Sequence, residues 1–268
     1  MSLTIGLVTR GRPELLSYTL GKTVENIRGD TRLIVLADDD DERMKGFFFP
    51  GAEINFRARE DSIGAKWNRM HQLAPADVYM VMVDHSPMLT EGFDLKVMEA
   101  ANIFPDGIGG VYDHLFCMSF PHINAATSKM VELMGGMYPT HFPYWFVDHW
   151  FDDICRMIGR FVFCDVVCDS SKRPGTQDQR EPWLWGSLYD ALYREREEVA
   201  ERLLAHMDEP EWRKDMLRRN FPLVHERSRY INSLLRGFEG TDKSRDERYL
   251  RIREAGISKI ANVYKELA

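Results

Sequence analysis

Short apolar runs alternate with stretches of helical period through the first half of the chain. Residues 4–9 form a strand-like run, broken at Arg10-Gly11-Arg12-Pro13 and followed by Leu15, Leu16, Leu20 and Val24 at the spacing of a helix face. Pro13 suits a first helical position, where its missing N–H would have no partner anyway. A second strand over 32–37 runs into Asp38-Asp39-Asp40-Asp41-Glu42. Unpaired carboxylates resist desolvation, so this cluster is expected in a loop at the strand's C-terminal end. After an irregular segment, Asp61-Ser62 can cap a helix reaching about Leu73, and 76–83 is the most apolar strand of the chain, closing at Asp84.

Further on, the pattern predicts a strand over 107–112, a helix over 124–134, an aromatic-rich loop, a helix over 146–159, a strand over 161–167 and a mobile loop over 170–182. From Trp183 the chain is helical and highly charged, with Arg194-Glu195-Arg196-Glu197-Glu198, Leu203-Leu204, and expected breaks at Pro210 and Pro222. A final amphipathic helix carries Ile252, Ile257, Ile260 and Val263. This order predicts an α/β fold: a Rossmann-like, mostly parallel sheet with helices on both faces, plus a C-terminal helical extension. Ligands of such sheets collect beyond the strands' C-terminal ends, where Arg10, Asp39 and Asp84 fall. The expected division is a nucleotide-binding domain over 1–186 and a helical extension over 187–268.

Composition narrows the function. With 268 residues, 44% hydrophobic and 12% aromatic, the chain has the apolar surface for a packed core. A net charge of -7 argues against a nucleic-acid partner, whose backbone is gripped by clustered Lys and Arg. No run reaches the length of a membrane span and no signal segment opens the sequence, so a cytoplasmic location is expected. The four cysteines, Cys117, Cys155, Cys164 and Cys168, include no C-x-x-C pair and read as reduced, buried thiols; core packing is a better account of Cys164 and Cys168 than metal binding.

The succession of a strand, Thr9-Arg10-Gly11-Arg12-Pro13, a strand ending in acids, a Gly64-x-x-x-Asn68 helix and a strand ending at Asp84 resembles the GT-A nucleotide-sugar glycosyltransferases, family 2 type, over about residues 3–186. By that resemblance Thr9, Arg10 and Asp39 hold the nucleoside, while Lys66 and Asn68 lie near the donor. A carboxylate can accept from base or ribose, and Arg offers a fork of donors to phosphate. Surface pairing with the acidic loop is the other reading of Arg10 and Arg12, and solvation the other reading of Lys66. Asp84 matches the start of the family's D-x-D metal motif, which implies Mn²⁺ or Mg²⁺. Here Asp84-His85-Ser86 lacks the second carboxylate, so His85 or Ser86 is the alternative ligand, and the family's later ligand falls near Asp169 or Ser170. A purely structural cap or turn is the other reading of Asp84.

Asp148, in Trp145-Phe146-Val147-Asp148-His149, matches the acid that deprotonates the acceptor hydroxyl in inverting members. Asp148, Asp152 and Arg156 also have the i, i+4 spacing of a surface salt-bridge ladder. Tyr138, Phe142, Tyr144, Trp145, Trp150, Trp183 and Trp185 flank the same region; most are expected in the core, with Trp183 and Trp185 at the edge of a lid over the acceptor. Lys172 and Arg173 are placed to close over diphosphate. The resemblance thus implies transfer of a sugar from a nucleotide-diphosphate donor to a hydroxyl acceptor. The rivals are a catalytically degenerate nucleotide-sugar or glycan-binding scaffold and, more remotely, a nucleotidyltransferase. The C-terminal helices are expected to pack on the protein's own surface and to form a homodimer contact.

Overall fold

A computed structural model describes residues 1–113, 123–169, 171, 181–235 and 247–266; Cys117, Ser170, Lys172 and Arg173 lie outside them. By internal contacts the chain forms two compact units, Met1–Glu60 with Ala65–Met137 and Arg160–Pro174, and Asp61–Gly64 with Tyr138–Gly159 and Gly175–Ala268.

The first unit is built on a seven-stranded sheet: β1 (Ser2–Val8), β2 (Asp30–Asp38), β3 (Ala52–Arg57), β4 (Val78–Val83), β5 (Gly110–Asp113), β6 (Asn124–Thr127) and β7 (Phe161–Cys164), in the order β3-β2-β1-β4-β6-β5-β7. β3, β2, β1 and β4 run parallel, as do β5 and β7; β6 is antiparallel to both its neighbours. Alternation along the strands sends Leu3, Ile5, Leu7, Val35, Met80 and Met82 to one face, against α1 (Pro13–Glu25) and α3 (Phe93–Ala101). The opposite face lies under α2 (Ile63–Leu73): Thr4 donates to the Ala74 carbonyl at 3.2 Å, and Trp67 to that of Met82 at 3.4 Å. The approach is close enough that a Cβ on Gly6 would come within 2.8 Å of the Met70 sulfur. The expected mostly parallel sheet with helices on both faces is therefore the one observed.

Several details differ from the pattern. Residues 124–127 are strand, and only α4 (Ser128–Met134) is helix; pairing with β4 and β5 overrides the local preference, and Thr127 caps α4 by accepting from the Met130 N–H at 3.3 Å. β3 occupies the segment read as irregular, a half-exposed sheet edge with little alternation to show. α3 was not foreshadowed by the periodicity. β7 stops at Cys164, short of 167. Cys155, Cys164 and Cys168 are buried.

The second unit is helical: α5 (Val147–Ile158), α6 (Pro182–Ala191), α7 (Tyr193–His206), α8 (Glu211–Leu235) and α9 (Glu247–Glu266). Its interior holds a polar knot. Asp153 on α5 accepts from Ser228 at 2.5 Å, accepts from Tyr189 and is paired with the fully buried Arg196 at 3.2 Å. Burial pushes the Asp153 carboxyl up, against the pull of Arg196. Asp152 takes Arg156 and Arg227, each at 2.8 Å. Pro222 does not break the chain as expected but sits inside α8. It lies on the exposed side, where the Arg218 carbonyl it leaves unbonded can meet water, while Leu217, Phe221 and Val224 bury the other side. At the start of α2, a Cβ on Gly64 would collide with the Pro139 carbonyl. Gly64→Ala is thus expected to lower stability by about 1–3 kcal/mol, read as a fall in denaturation midpoint. An unchanged midpoint would show that the Pro139 backbone gives way freely.

Candidate functional site

Three neighbouring parallel strands, β1, β2 and β4, end side by side, and the polar residues following them converge. Thr9 donates to Asp84 Oδ2 at 2.9 Å, while Arg12 and the His85 Nδ1 approach Oδ1 at 3.4 and 3.1 Å. Thr19 of α1 ties down the Asp84 carbonyl at 2.8 Å. Asp84 is almost wholly buried, and these neighbours give its oxygens the partners that a buried polar group needs.

Next to it, Lys66 reaches from α2 to Asp38 Oδ1 at 2.7 Å and to the Thr9 carbonyl at 3.3 Å. Lys66 is buried, which excludes the solvated reading. Burial lowers its pKa while Asp38 pulls the other way. Arg10 bridges Asp38 at 2.9 Å and the more exposed Asp40 at 3.1 Å. That hydrogen bond holds Asp40 below the ordinary carboxylate value and Arg10 above its own. Gly11, at φ 68°, turns the loop so that its N–H meets Asp41. Arg12 pairs with Asp84 and not with the acidic loop.

Asp39 stays exposed, its N–H on the Arg57 carbonyl at 2.8 Å. The organising acid of the loop is instead Asp38, last residue of β2, which the run of four aspartates concealed. Arg69, also missed, is buried on α2 and pairs with Glu60 at 3.4 Å; burial lowers its pKa and raises that of Glu60. Asn68 lies against Gly136, where a Cβ would come within 2.8 Å of its Nδ2.

In the helical unit, Asp148 is the second residue of α5, in the first turn after Phe146, which at φ 72° is the one non-glycine residue with positive φ among the described residues. Such strain, on the order of 1–3 kcal/mol, concentrates at functional sites. Asp148 takes no part in the ladder that its spacing allowed: Arg156 belongs to Asp152, and Asp148 is bonded to the His149 Nδ1 at 2.8 Å. Desolvation raises the Asp148 carboxyl, but the His149 ring outweighs it and holds the group below the usual carboxylate range. Tyr138, Phe142 and Trp150 are core residues, and Tyr144 and Trp145 half-buried. Trp183 is half-exposed, as a lid edge requires. Trp185 is not: it is fully buried, its indole N–H directed at the Tyr249 hydroxyl at 3.4 Å, because it faces inward on α6 towards α9.

Among the described residues no three His, Cys, Asp or Glu side chains are grouped to hold a metal ion. Asp169 accepts from the Ser171 N–H at 2.8 Å in a local turn, and does not complete a set with Asp84 and His85. The donors present are one carboxylate and one imidazole, adjacent on Asp84 and His85; they fit a divalent ion only where a substrate's oxygens supply the remainder.

No family model and no curated protein sequence matches the chain. Solved structures do. TarS residues 1–349 from S. aureus, in complex with UDP-GlcNAc, superposes with a TM-score of 0.60 at 11% identity, over 97% of this chain and 82% of that one. The mannosyltransferase PcManGT from Pyrobaculum calidifontis, in complex with GDP-Man and Mn²⁺, gives 0.53 at 13% identity over 97% and 85%. This is a GT-A glycosyltransferase fold. A third GT-A relative in fold, the glucosyl-3-phosphoglycerate synthase from Mycobacterium tuberculosis with Mn²⁺, UDP and phosphoglyceric acid, gives 0.50 at 14% identity over 78% and 79%. No helix among the described residues is long and apolar enough to cross a membrane.

Proposed function

We propose that the chain is a glycosyltransferase moving a sugar from a nucleotide-diphosphate donor to a hydroxyl acceptor. The observation that carries this reading is the buried Asp84 at the end of β4, set among Thr9, Arg12 and His85 beside the Lys66–Asp38–Arg10 chain. The GT-A neighbours, solved with nucleotides or nucleotide-sugars, support the donor class. Asp39, exposed, is assigned to the ribose or base, and Arg10, Arg12 and Lys66 to the field that favours diphosphate. Asn68 is kept as a donor-side residue. Asp148 is assigned as the base that accepts the acceptor's hydroxyl proton, with Trp183 against the acceptor.

A divalent cation, Mn²⁺ in the first instance, would be held by Asp84 and His85 together with the donor's diphosphate, and would supply positive charge to the departing nucleotide. Residues 1–186 are the proposed catalytic part, which holds every described strand, and the helices of 187–268 an extension that also mediates self-association. The Arg12–Asp84 pair favours a second reading, a binding protein in which the guanidinium stands where a cation would.

Thermal unfolding against UDP, GDP and their sugars, with and without Mn²⁺, tests the proposal on wild type and Asp84→Asn. A ligand at a hundredfold excess over its Kd stabilises by about 2.7 kcal/mol, so a bound donor is visible as a raised midpoint. The expected result is a nucleotide-dependent rise, enlarged by Mn²⁺ only when nucleotide is present and lost in Asp84→Asn. A rise indifferent to Mn²⁺, without sugar transfer, selects the binding protein; no rise with any nucleotide overturns both.

A further inference from the structure

α8 is 25 residues long, about 37 Å, and has two unlike sides. Leu217, Phe221, Val224 and Ser228 are buried within its own unit. On the other side Trp212, Met216, Leu223 and Tyr230 are 68%, 48%, 62% and 65% exposed. With Arg219 and Glu226, both exposed, they succeed one another at alternating steps of four and three, the spacing of a helix–helix seam. Single exposed apolar residues are ordinary, but a seam of this length on one helix face is the mark of a contact surface.

We infer that this face of α8 pairs antiparallel with the same face of a second copy, across a two-fold axis at Leu223. This rests on reading the helical extension as the self-association element. The charge order selects the partner. Arg219 stands four residues before Leu223 and Glu226 three residues after it, and neither has an ion-pair partner among the described residues. Reversing the helix about Leu223 therefore sets Arg219 of each copy opposite Glu226 of the other, while a parallel pairing would set like against like. The same operation sets Met216 opposite Tyr230, a sulfur–aromatic contact, and Leu223 on itself. A two-fold contact must be self-complementary in this way, and few sequences of exposed residues are.

The test is the concentration dependence of mass for the full chain, by sedimentation or light scattering, with thermal unfolding of each variant as a control on folding. Wild type is expected to dimerise, and Leu223→Glu to be a folded monomer over the same range. Arg219→Glu or Glu226→Arg alone is expected to weaken dimerisation about tenfold, and the two together to restore it, a rescue that a merely structural role would not give. A dimer unmoved by these changes but broken by Ile257→Glu would put the contact on the exposed Leu250, Ile257 and Tyr264 of α9; it would overturn the assignment to α8 while keeping self-association. A chain that stays monomeric throughout overturns both.

Discussion

Replacing Arg196 by methionine is expected to cost the helical unit about 3–5 kcal/mol, because it leaves a carboxylate buried without its counter-charge. Arg196 has no exposed surface, donates to the Tyr189 carbonyl at 2.6 Å, lies 3.8 Å from the centre of the Tyr189 ring and pairs with Asp153. Methionine fills much of the same space, so the loss reports on charge more than on volume. Asp153, already pushed up by burial, would be pushed further without the guanidinium. A carboxyl whose folded pKa lies above its unfolded one binds a proton on folding, so its stabilisation is lost as pH rises through the folded value. The deficit of Arg196→Met should accordingly shrink in acid. Denaturant titration measures it, and Asp153→Asn added to Arg196→Met should recover more than half. A deficit below about 1 kcal/mol at neutral pH would show that Tyr189 and Ser228 suffice for Asp153.

Asp148→Asn is expected to lower kcat by about 10²–10⁴-fold while leaving the donor-induced rise in unfolding midpoint in place, since general-base catalysis contributes about that much and donor binding is assigned to other residues. The deprotonated carboxylate is the active form, so activity falls as pH drops through its pKa. With His149 holding that pKa down, the acid limb of kcat/KM should lie below that of an unperturbed carboxylate. His149→Ala should move the limb up. An Asp148→Asn variant with wild-type kcat would remove Asp148 from the chemistry and leave the strain at Phe146 without a catalytic purpose.

Much of the fold was legible because buried parallel strands betray themselves as continuous apolar runs. The stretch Val78-Tyr79-Met80-Val81-Met82-Val83 has nowhere to go but the centre of a sheet, and the polar residue that ends it is thereby marked. β3 and β6 were not legible for the complementary reason. β3 is a partly exposed edge strand, and Asn124-Ala125-Ala126-Thr127 has no strand preference of its own; only its neighbours make it one. In the site, Thr9, Arg10, Lys66 and Asp84 could be picked out from their places at strand and helix ends. Asp38 could not be told from Asp39, because one residue of register decides which of them points at Lys66 and which at solvent. Trp185 failed in the same way: two positions from Trp183 on a helix is more than half a turn, enough to carry one ring into the core and leave the other outside.

The polar knot also bears on how the chain can be shortened. Asp152 and Asp153 come from a helix that lies between two strands in sequence, yet Arg196, Arg227 and Ser228, which neutralise or bond them, all come from beyond residue 186. Cutting the chain where the proposed catalytic part ends would take Arg196, Ser228 and Tyr189 from Asp153 and Arg227 from Asp152, which would keep Arg156 of its own helix. The boundary at 186 can divide roles, but it does not divide folding: the last third of the chain completes an interior that an earlier helix has already begun.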